Sequence, residues 1–358
     1  MSDPESPAAE PPVLTRIEGG VGRITLNRPK ALHALTREMC ALMTEALLAW
    51  RRDPAVLTVL LDHSGERGFC AGGDIRMIAE SGKADAVEAR DFFHTEYRLN
   101  HLLFVYPKPV VALMDGVVMG GGVGISDPAR VRIVTERTTY AMPETGIGLF
   151  PDVGGGWFLP RMPGQSGIWL ALTGARLKAA DCLHLGIGTH YIESARLNDF
   201  RASLFEDPEA VFGLPELYSS RTGDAPVVAV QEDIDRLFAF DTVEQITSAL
   251  EADGSPWALA QLSTLLSKSP QSLKVSLRQM RLGSRLDSFA ENMAMEYRLG
   301  GRVVQAHDFQ EGVRAVIVDK DNAPRWSPAT LAQVDDALID SLFERLPQGE
   351  EWTPLPGL

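Results

Sequence analysis

The chain has 358 residues, enough for two domains or for one large domain with an appended lobe. Its 34 Lys and Arg stand against 48 Asp and Glu, a net charge of -14. That balance argues against a protein whose main task is to neutralise nucleic-acid phosphates, and a hydrophobic share of 45% provides for a sizeable core.

In chain order, the first dozen residues (MSDPESPAAEPP) are acidic and proline-rich, which predicts a disordered tail over 1–12 rather than a secretory signal or an Arg-rich presequence. Residues 22–27 alternate as a strand does, and Arg28-Pro29-Lys30 ends them. From 35 to 50, Leu35, Met39, Leu42, Met43, Ala46, Leu47 and Trp50 recur at helical spacing. Residues 56–61 read as a buried strand. A glycine-bearing loop follows at 68–74, then a helix over about 86–105 closed by Pro107 and Pro109. Another buried strand at 110–114 runs into Gly120-Gly121-Gly122, and strands at 131–135 and 138–141 follow. This strand–helix–strand alternation predicts an α/β architecture. An irregular connection is expected around 205–230. From about 241 the signals are helical: Ser269-Pro270 reads as a helix start with Leu273, Leu277 and Met280 on one face, and Ala290, Met293, Ala294 and Tyr297 mark a further helix. The expected organisation is a tail (1–12), an α/β core (13–225) and a helical C-terminal lobe (226–358).

Cys40, Cys70 and Cys182 are odd in number and widely spaced, so neither a disulfide framework nor a CxxC motif is expected. The reading is a reducing compartment, with a cytoplasmic location. No apolar run of 18 residues predicts a membrane span. The seven histidines include no HExxH, so no metal site is expected. A P-loop is absent, and residues 124–128 lack the last glycine of a nucleophile elbow.

Three features carry chemistry. The first is a pair of glycine loops, Ala71-Gly72-Gly73-Asp74 and Met119-Gly120-Gly121-Gly122, each after a strand and before an expected helix. Glycines there leave backbone N–H groups uncovered, and two of them converging would form an oxyanion hole; from spacing alone, tight turns that need glycine for positive φ are the favoured explanation. The second is Glu144 and the third is Asp152, both beside apolar residues and both on loops, because Pro143, Gly146, Gly148 and Pro151 forbid one continuous helix. Partial burial would raise both pKa values and suit acid–base work. Asp152 ahead of a glycine run also fits a helix N-cap.

Together these segments resemble the crotonase (enoyl-CoA hydratase/isomerase) superfamily. The likeness begins at Leu26-Asn27-Arg28-Pro29-Lys30-Ala31-Leu32, continues through both glycine loops, and is strongest over 140–160, reading YAMPETGIGLFPDVGGGWFLP. It resumes at 295–299, 307–309, 311–316 and 319–321, with Pro324 and Trp326 beyond. The 140–160 stretch is most similar to the superfamily branch that hydrolyses 3-hydroxyisobutyryl-CoA.

The resemblance implies a crotonase-like spiral of ββα units and hydrolysis of a short 3-hydroxyacyl-CoA thioester, as in valine breakdown. It implies an oxyanion hole at Gly73 and Gly121, Glu144 and Asp152 as the catalytic acids, and Glu96 as a further substrate contact. CoA, the leaving part of the substrate rather than a cofactor, would run past Lys30, Ala31, Leu32 and His33 and along Gly72, Asp74 and Ile75. No cofactor, metal, nucleic acid or membrane partner is implied, and a homo-oligomer is allowed. Superfamily hydratases carry a second glutamate in the helix opened by the glycine cluster, where this sequence has Gly124. That disfavours the hydratase reaction; enoyl-CoA isomerisation or non-catalytic acyl-CoA binding are the other readings. Asp127-Pro128 departs from the hydrolase pattern and bears on acyl selectivity.

Overall fold

Runs of apolar residues with both faces buried dictate the centre of the fold. The computed structural model describes residues 10–358. The strands are β1 (Val13–Glu18), β2 (Val21–Leu26), β3 (Thr58–His63), β4 (Gly68–Cys70), β5 (Val110–Met114), β6 (Val117–Met119), β7 (Val131–Val134), β8 (Thr139–Ala141) and β9 (His190–Tyr191). They form a main sheet in the order β1-β2-β3-β5-β7-β9 and a small sheet β4-β6-β8. Only the β1–β2 hairpin is antiparallel, turning on Gly19 and Gly20, both at positive φ as a two-residue hairpin requires.

Successive strand pairs therefore split between the sheets: β3, β5 and β7 enter the main one, and β4, β6 and β8 the small one. Early helices follow these pairs: α1 (Arg37–Trp50), α2 (Ile75–Lys83), α3 (Val87–Phe104) and α4 (Gly121–Ser126). This is the expected spiral of ββα units. β1 was not expected, because four of its six residues are exposed and show no alternation.

Past β8 come α5 (Gly155–Phe158), α6 (Ser166–Thr173), α7 (Ala179–His184), α8 (Leu197–Glu206) and α9 (Leu214–Tyr218). The expected irregular connection at 205–230 is corrected here: α9 and short 3-10 turns at Pro208–Phe212 and Pro226–Val230 occupy much of it. Their task explains them. Leu60, Val111, Leu113 and Ile133 on one sheet face pack against Phe200, Leu204, Val211 and Leu214. The other face, including Val59, Leu61 and Ala112, belongs to the main core.

The C-terminal helices are α10 (Gln231–Leu237), ahead of the helical signals read from about 241, then α11 (Val243–Asp253), α12 (Pro256–Leu266), α13 (Pro270–Gly283), α14 (Phe289–Val303), α15 (His307–Val313) and α16 (Asp336–Phe343). Ser269 caps α13 as read, its Oγ accepting from the Ser272 N–H at 3.1 Å. One hydrophobic core runs from Leu35 to Met293, and α14 packs on α3. The chain end returns too: Trp352 is buried, and Arg51 donates to the Gly357 carbonyl at 3.0 Å. Of the expected tail, residues 1–9 lie outside the described residues. Residues 10–12 are anchored, a correction: the Asn27 side chain donates to the Pro11 carbonyl (3.0 Å) and its backbone N–H to that of Pro12 (2.8 Å). Among the described residues, no helix is long and apolar enough to cross a membrane.

α15 rides directly on the turn after β8. Gly148 has φ +74, and a Cβ there would overlap the Asp308 backbone. Gly148→Ala is therefore expected to destabilise by about 2–4 kcal/mol, combining backbone strain with a backbone clash. A shift of the denaturant midpoint at unchanged m-value checks this.

Candidate active site

The strands of the small sheet are short, and the chain after each turns sharply. After β4 comes Gly72 at φ +119, and after β6 comes Gly120 at φ +46, both conformations that glycine adopts without a Cβ penalty. After β8, Pro143 leads into a 3-10 turn, Glu144–Ile147. These turns line one cavity of about 450 Å³, with Gly72, Gly73, Gly120, Gly121, Glu144 and Asp152 around it. The parallel pairing of β4, β6 and β8 is what brings the three turns to the same end.

The two glycine loops touch: a Cβ on Gly120 would lie 3.3 Å from the Gly72 Cα. Among the described residues, neither the Gly73 nor the Gly121 N–H finds an acceptor. Gly121 opens α4, so its N–H is one of the donors a helix start leaves free. Both expected donors thus face one cavity.

The acids converge on it. Glu144 begins its turn with a buried side chain, and its Oε1 lies 3.2 Å from where a Gly120 Cβ would stand. Its Oε2 is buried without a hydrogen-bond partner among the described residues. Asp152 accepts from the Tyr97 hydroxyl at 2.8 Å, and the Gly155 N–H goes to the Asp152 backbone carbonyl at 2.7 Å. The carboxylate therefore does not cap α5. Glu96, beside Tyr97 on α3, reaches the same space: its unpartnered Oε1 would lie 2.6 Å from a Gly121 Cβ.

Electrostatics follow from this crowding. Burial, then the Asp152 charge, pushes the Glu144 pKa well above the carboxylate range, and the ammonium of Lys268 opposes the shift. Burial pushes Asp152 up to about 6 against the Tyr97 hydrogen bond. Burial and the charges of Asp152 and Glu296 push Glu96 well up. Lys268, in turn, is lowered by desolvation. The arrangement can hold a carbonyl oxygen on two N–H groups beside carboxyls poised to exchange protons near neutrality.

Of the expected CoA contacts, Gly72 and Ile75 line the cavity, whereas Lys30, Ala31, Leu32, His33 and Asp74 do not. His33 is buried, with Nδ1 accepting from the Arg28 N–H (3.0 Å) and Nε2 on the Ser64 carbonyl (2.8 Å). Burial and His63 lower its pKa to about 4, so it is neutral. Its imidazole organises the loop, while the Leu32 carbonyl accepts from the Ala71 N–H at 3.0 Å.

Sequence reasoning missed a stretch of wall supplied mostly by the lobe. Arg176, Ser267, Lys268, Val316, Ile317 and Asn322 line the cavity. Nothing in their spacing marks them, since they meet only through tertiary packing. Tyr97 was legible only as a neighbour of Glu96. Asp127 takes the Tyr140 hydroxyl at 2.9 Å and lies outside this cavity.

The profile of the Enoyl-CoA hydratase/isomerase family matches residues 21–343. The chain is 45% identical over 343 residues to 3-hydroxyisobutyryl-CoA hydrolase, mitochondrial, of Gallus gallus, covering 93% of this chain and 89% of that one. Against the Homo sapiens protein of the same name identity is 43% over the same shares. Among solved structures, it resembles a carnitinyl-CoA dehydratase from Mycobacterium thermoresistibile (TM-score 0.91, 42% identity, 96% and 98% of the two chains). An enoyl-CoA hydratase from Rhodobacter sphaeroides 2.4.1 is similar (TM-score 0.88, 40% identity, 96% and 99%). The curated relatives carry "mitochondrial" in their names, which overturns the expectation of a cytoplasmic location. That expectation rested on cysteine usage, which reports redox state and not address. With its profile match, its relatives and its fold in agreement, the chain belongs to the enoyl-CoA hydratase/isomerase family.

Proposed function

We propose that this protein hydrolyses the thioester of short 3-hydroxyacyl-CoA compounds, with 3-hydroxyisobutyryl-CoA as substrate and 3-hydroxyisobutyrate and CoA as products. The relatives named as that hydrolase support this reading; two similar structures bear dehydratase or hydratase names instead. The observation that carries the choice is the filled space at Gly124. A Cβ there would lie 2.5 Å from the Val153 Cβ and 2.8 Å from the Asn100 Nδ2. The position where a hydratase carries its second glutamate is thus closed by Val153 and Asn100, which disfavours adding water across a double bond.

In the proposed reaction the thioester carbonyl sits on the Gly73 and Gly121 N–H groups. Charge that develops on its oxygen is stabilised there, each donor contributing about 3 kcal/mol. Glu144 supplies the basic oxygen, either by drawing the proton from an attacking water or by attacking the carbonyl itself. The tetrahedral intermediate then expels the CoA thiolate, an acceptable leaving group because thiols ionise near pH 8.5, and on the route of direct attack water then cleaves the acyl–Glu144 anhydride to release the acid and restore the carboxylate. Asp152, oriented by Tyr97, positions the water or the 3-hydroxyl, and Glu96 receives the 3-hydroxyl. Lys268 and Arg176 give the cavity mouth a local positive charge that suits the CoA phosphates despite the acidic chain.

Free-thiol release on an acyl-CoA panel tests the reading. Fast release from 3-hydroxyisobutyryl- and 3-hydroxypropionyl-CoA, and slow release from isobutyryl-CoA, is expected; no release from any would sink it. Glu144→Gln is expected to lose at least about 100-fold in kcat while still binding CoA esters. Near-normal turnover by that variant would remove Glu144 from the chemistry. The pH profile adds a sign. A carboxyl raised by burial stays protonated to higher pH, so the basic form is lost as pH falls through about 6 for Asp152, and burial displaces Glu144 upward in the same sense. The acidic limb of kcat should therefore lie at or above pH 6, as steady-state rates across pH will show; a limb near the ordinary Asp value of 3.8 would contradict it.

A further inference from the structure

We propose that Glu296 is the positioning residue for Asp152: reaching in from α14, its carboxylate holds the strained turn after Asp152 and so fixes where the Asp152 side chain points. The inference rests on the reading that Asp152 takes part in the reaction.

The turn needs holding. Val153 has φ +52, a genuine outlier for a β-branched residue, and Gly154 follows at φ +102. Such a backbone persists only where its surroundings over-determine it. The surroundings here come from the lobe. Glu296 Oε2 accepts from the Gly154 N–H at 2.8 Å, and Oε1 accepts from the Gly156 N–H at 2.9 Å. Gln279 on α13 donates to the Pro151 carbonyl at 2.7 Å and to Glu296 Oε1 at 3.2 Å. Asn292 donates to the same Oε1 at 2.8 Å. The chain is thus gripped on both sides of Asp152, at 151 and at 154–156.

The fit is close. A Cβ on Gly156 would lie 2.5 Å from Asn292 Oδ1 and 2.9 Å from Gln279 Nε2, so only glycine lets the backbone reach the clamp. Four donors converge on Glu296, matching the acceptor capacity of an ionised carboxylate. They work against the burial that pushes its pKa up to about 8. Glu296 is fully buried, does not line the cavity and touches no reacting atom. A glutamine at 296 would keep one acceptor and turn an N–H₂ group toward a backbone N–H, loosening the turn with little change in volume.

The test measures thiol release from 3-hydroxyisobutyryl-CoA by the full-length wild type, Asp152→Asn and Glu296→Gln, with circular dichroism on each. Misplacing a reacting group by about 1 Å costs on the order of 100-fold, so Glu296→Gln is expected to lose roughly 30- to 100-fold in kcat with KM within about threefold of wild type. A merely structural role would instead lower the folded fraction and leave kcat per folded molecule unchanged; that result overturns the inference. Normal turnover by Asp152→Asn would sink the role given to Asp152, and this inference with it. Loss in Asp152→Asn but not in folded Glu296→Gln would sink the clamp alone. Should Glu296→Gln not fold, Gln279→Ala removes the Pro151 anchor and one donor to Glu296 while leaving the Gly154 and Gly156 bonds in place. An unchanged kcat in that variant contradicts the clamp, and a loss of roughly three- to tenfold at constant KM supports it.

Discussion

Four carboxyl groups share one poorly solvated interior, and most of the site's architecture answers to that constraint. Glu96, Glu144, Asp152 and Glu296 are all buried, and each has a pKa raised chiefly by desolvation. Burying acids without partners is unfavourable, and burying several together adds repulsion. The chain meets this in two ways. Glu296 is saturated with donors and serves as structure. Glu144 and Glu96 keep unpartnered oxygens toward the cavity. Partnering is thus unequal, and the acids left unsatisfied are those free to meet a substrate.

The same constraint explains why Val153 tolerates its strained backbone. Only with φ positive does the turn after Asp152 bring Val153 against Gly124 while leaving the next amides aimed at Glu296. One turn thereby presents an acid to the cavity, fills the space beside α4 and docks onto the lobe. A side chain chosen for bulk stands where the local backbone would prefer glycine. That conflict between local and global preference is what functional turns commonly retain.

Much of this was legible from residues. The strands at β3, β5 and β7 and the helices α1, α3, α13 and α14 follow apolar period and capping signals, so expectation and structure agree within a few residues. The glycine loops and the motif around Glu144 pointed to one site only through the family resemblance of the segments taken together, since the spacing of each alone was compatible with ordinary turns. What could not be read had physical reasons. β1 is an exposed edge without alternation, and α9 is too short to show helical period. Lys268, Arg176 and the 316–324 wall enter by tertiary packing from distant sequence. His33 lay in the right segment, but sequence cannot tell that both of its nitrogens are spent on backbone groups.

The returning chain end carries a consequence for how the molecule assembles. The Trp352 indole donates to the His94 carbonyl at 3.3 Å, and Arg98 donates to the Thr353 carbonyl at 2.9 Å, on either side of Glu96 along α3. These contacts close loops of 258 and 255 residues. Contacts between such distant segments are entropically slow to form, because the intervening chain must be gathered first. The helix that offers Glu96 to the cavity is therefore held by the most remote part of the polypeptide as well as by α1, α2 and α14. Full support of this helix includes contacts that span most of the chain.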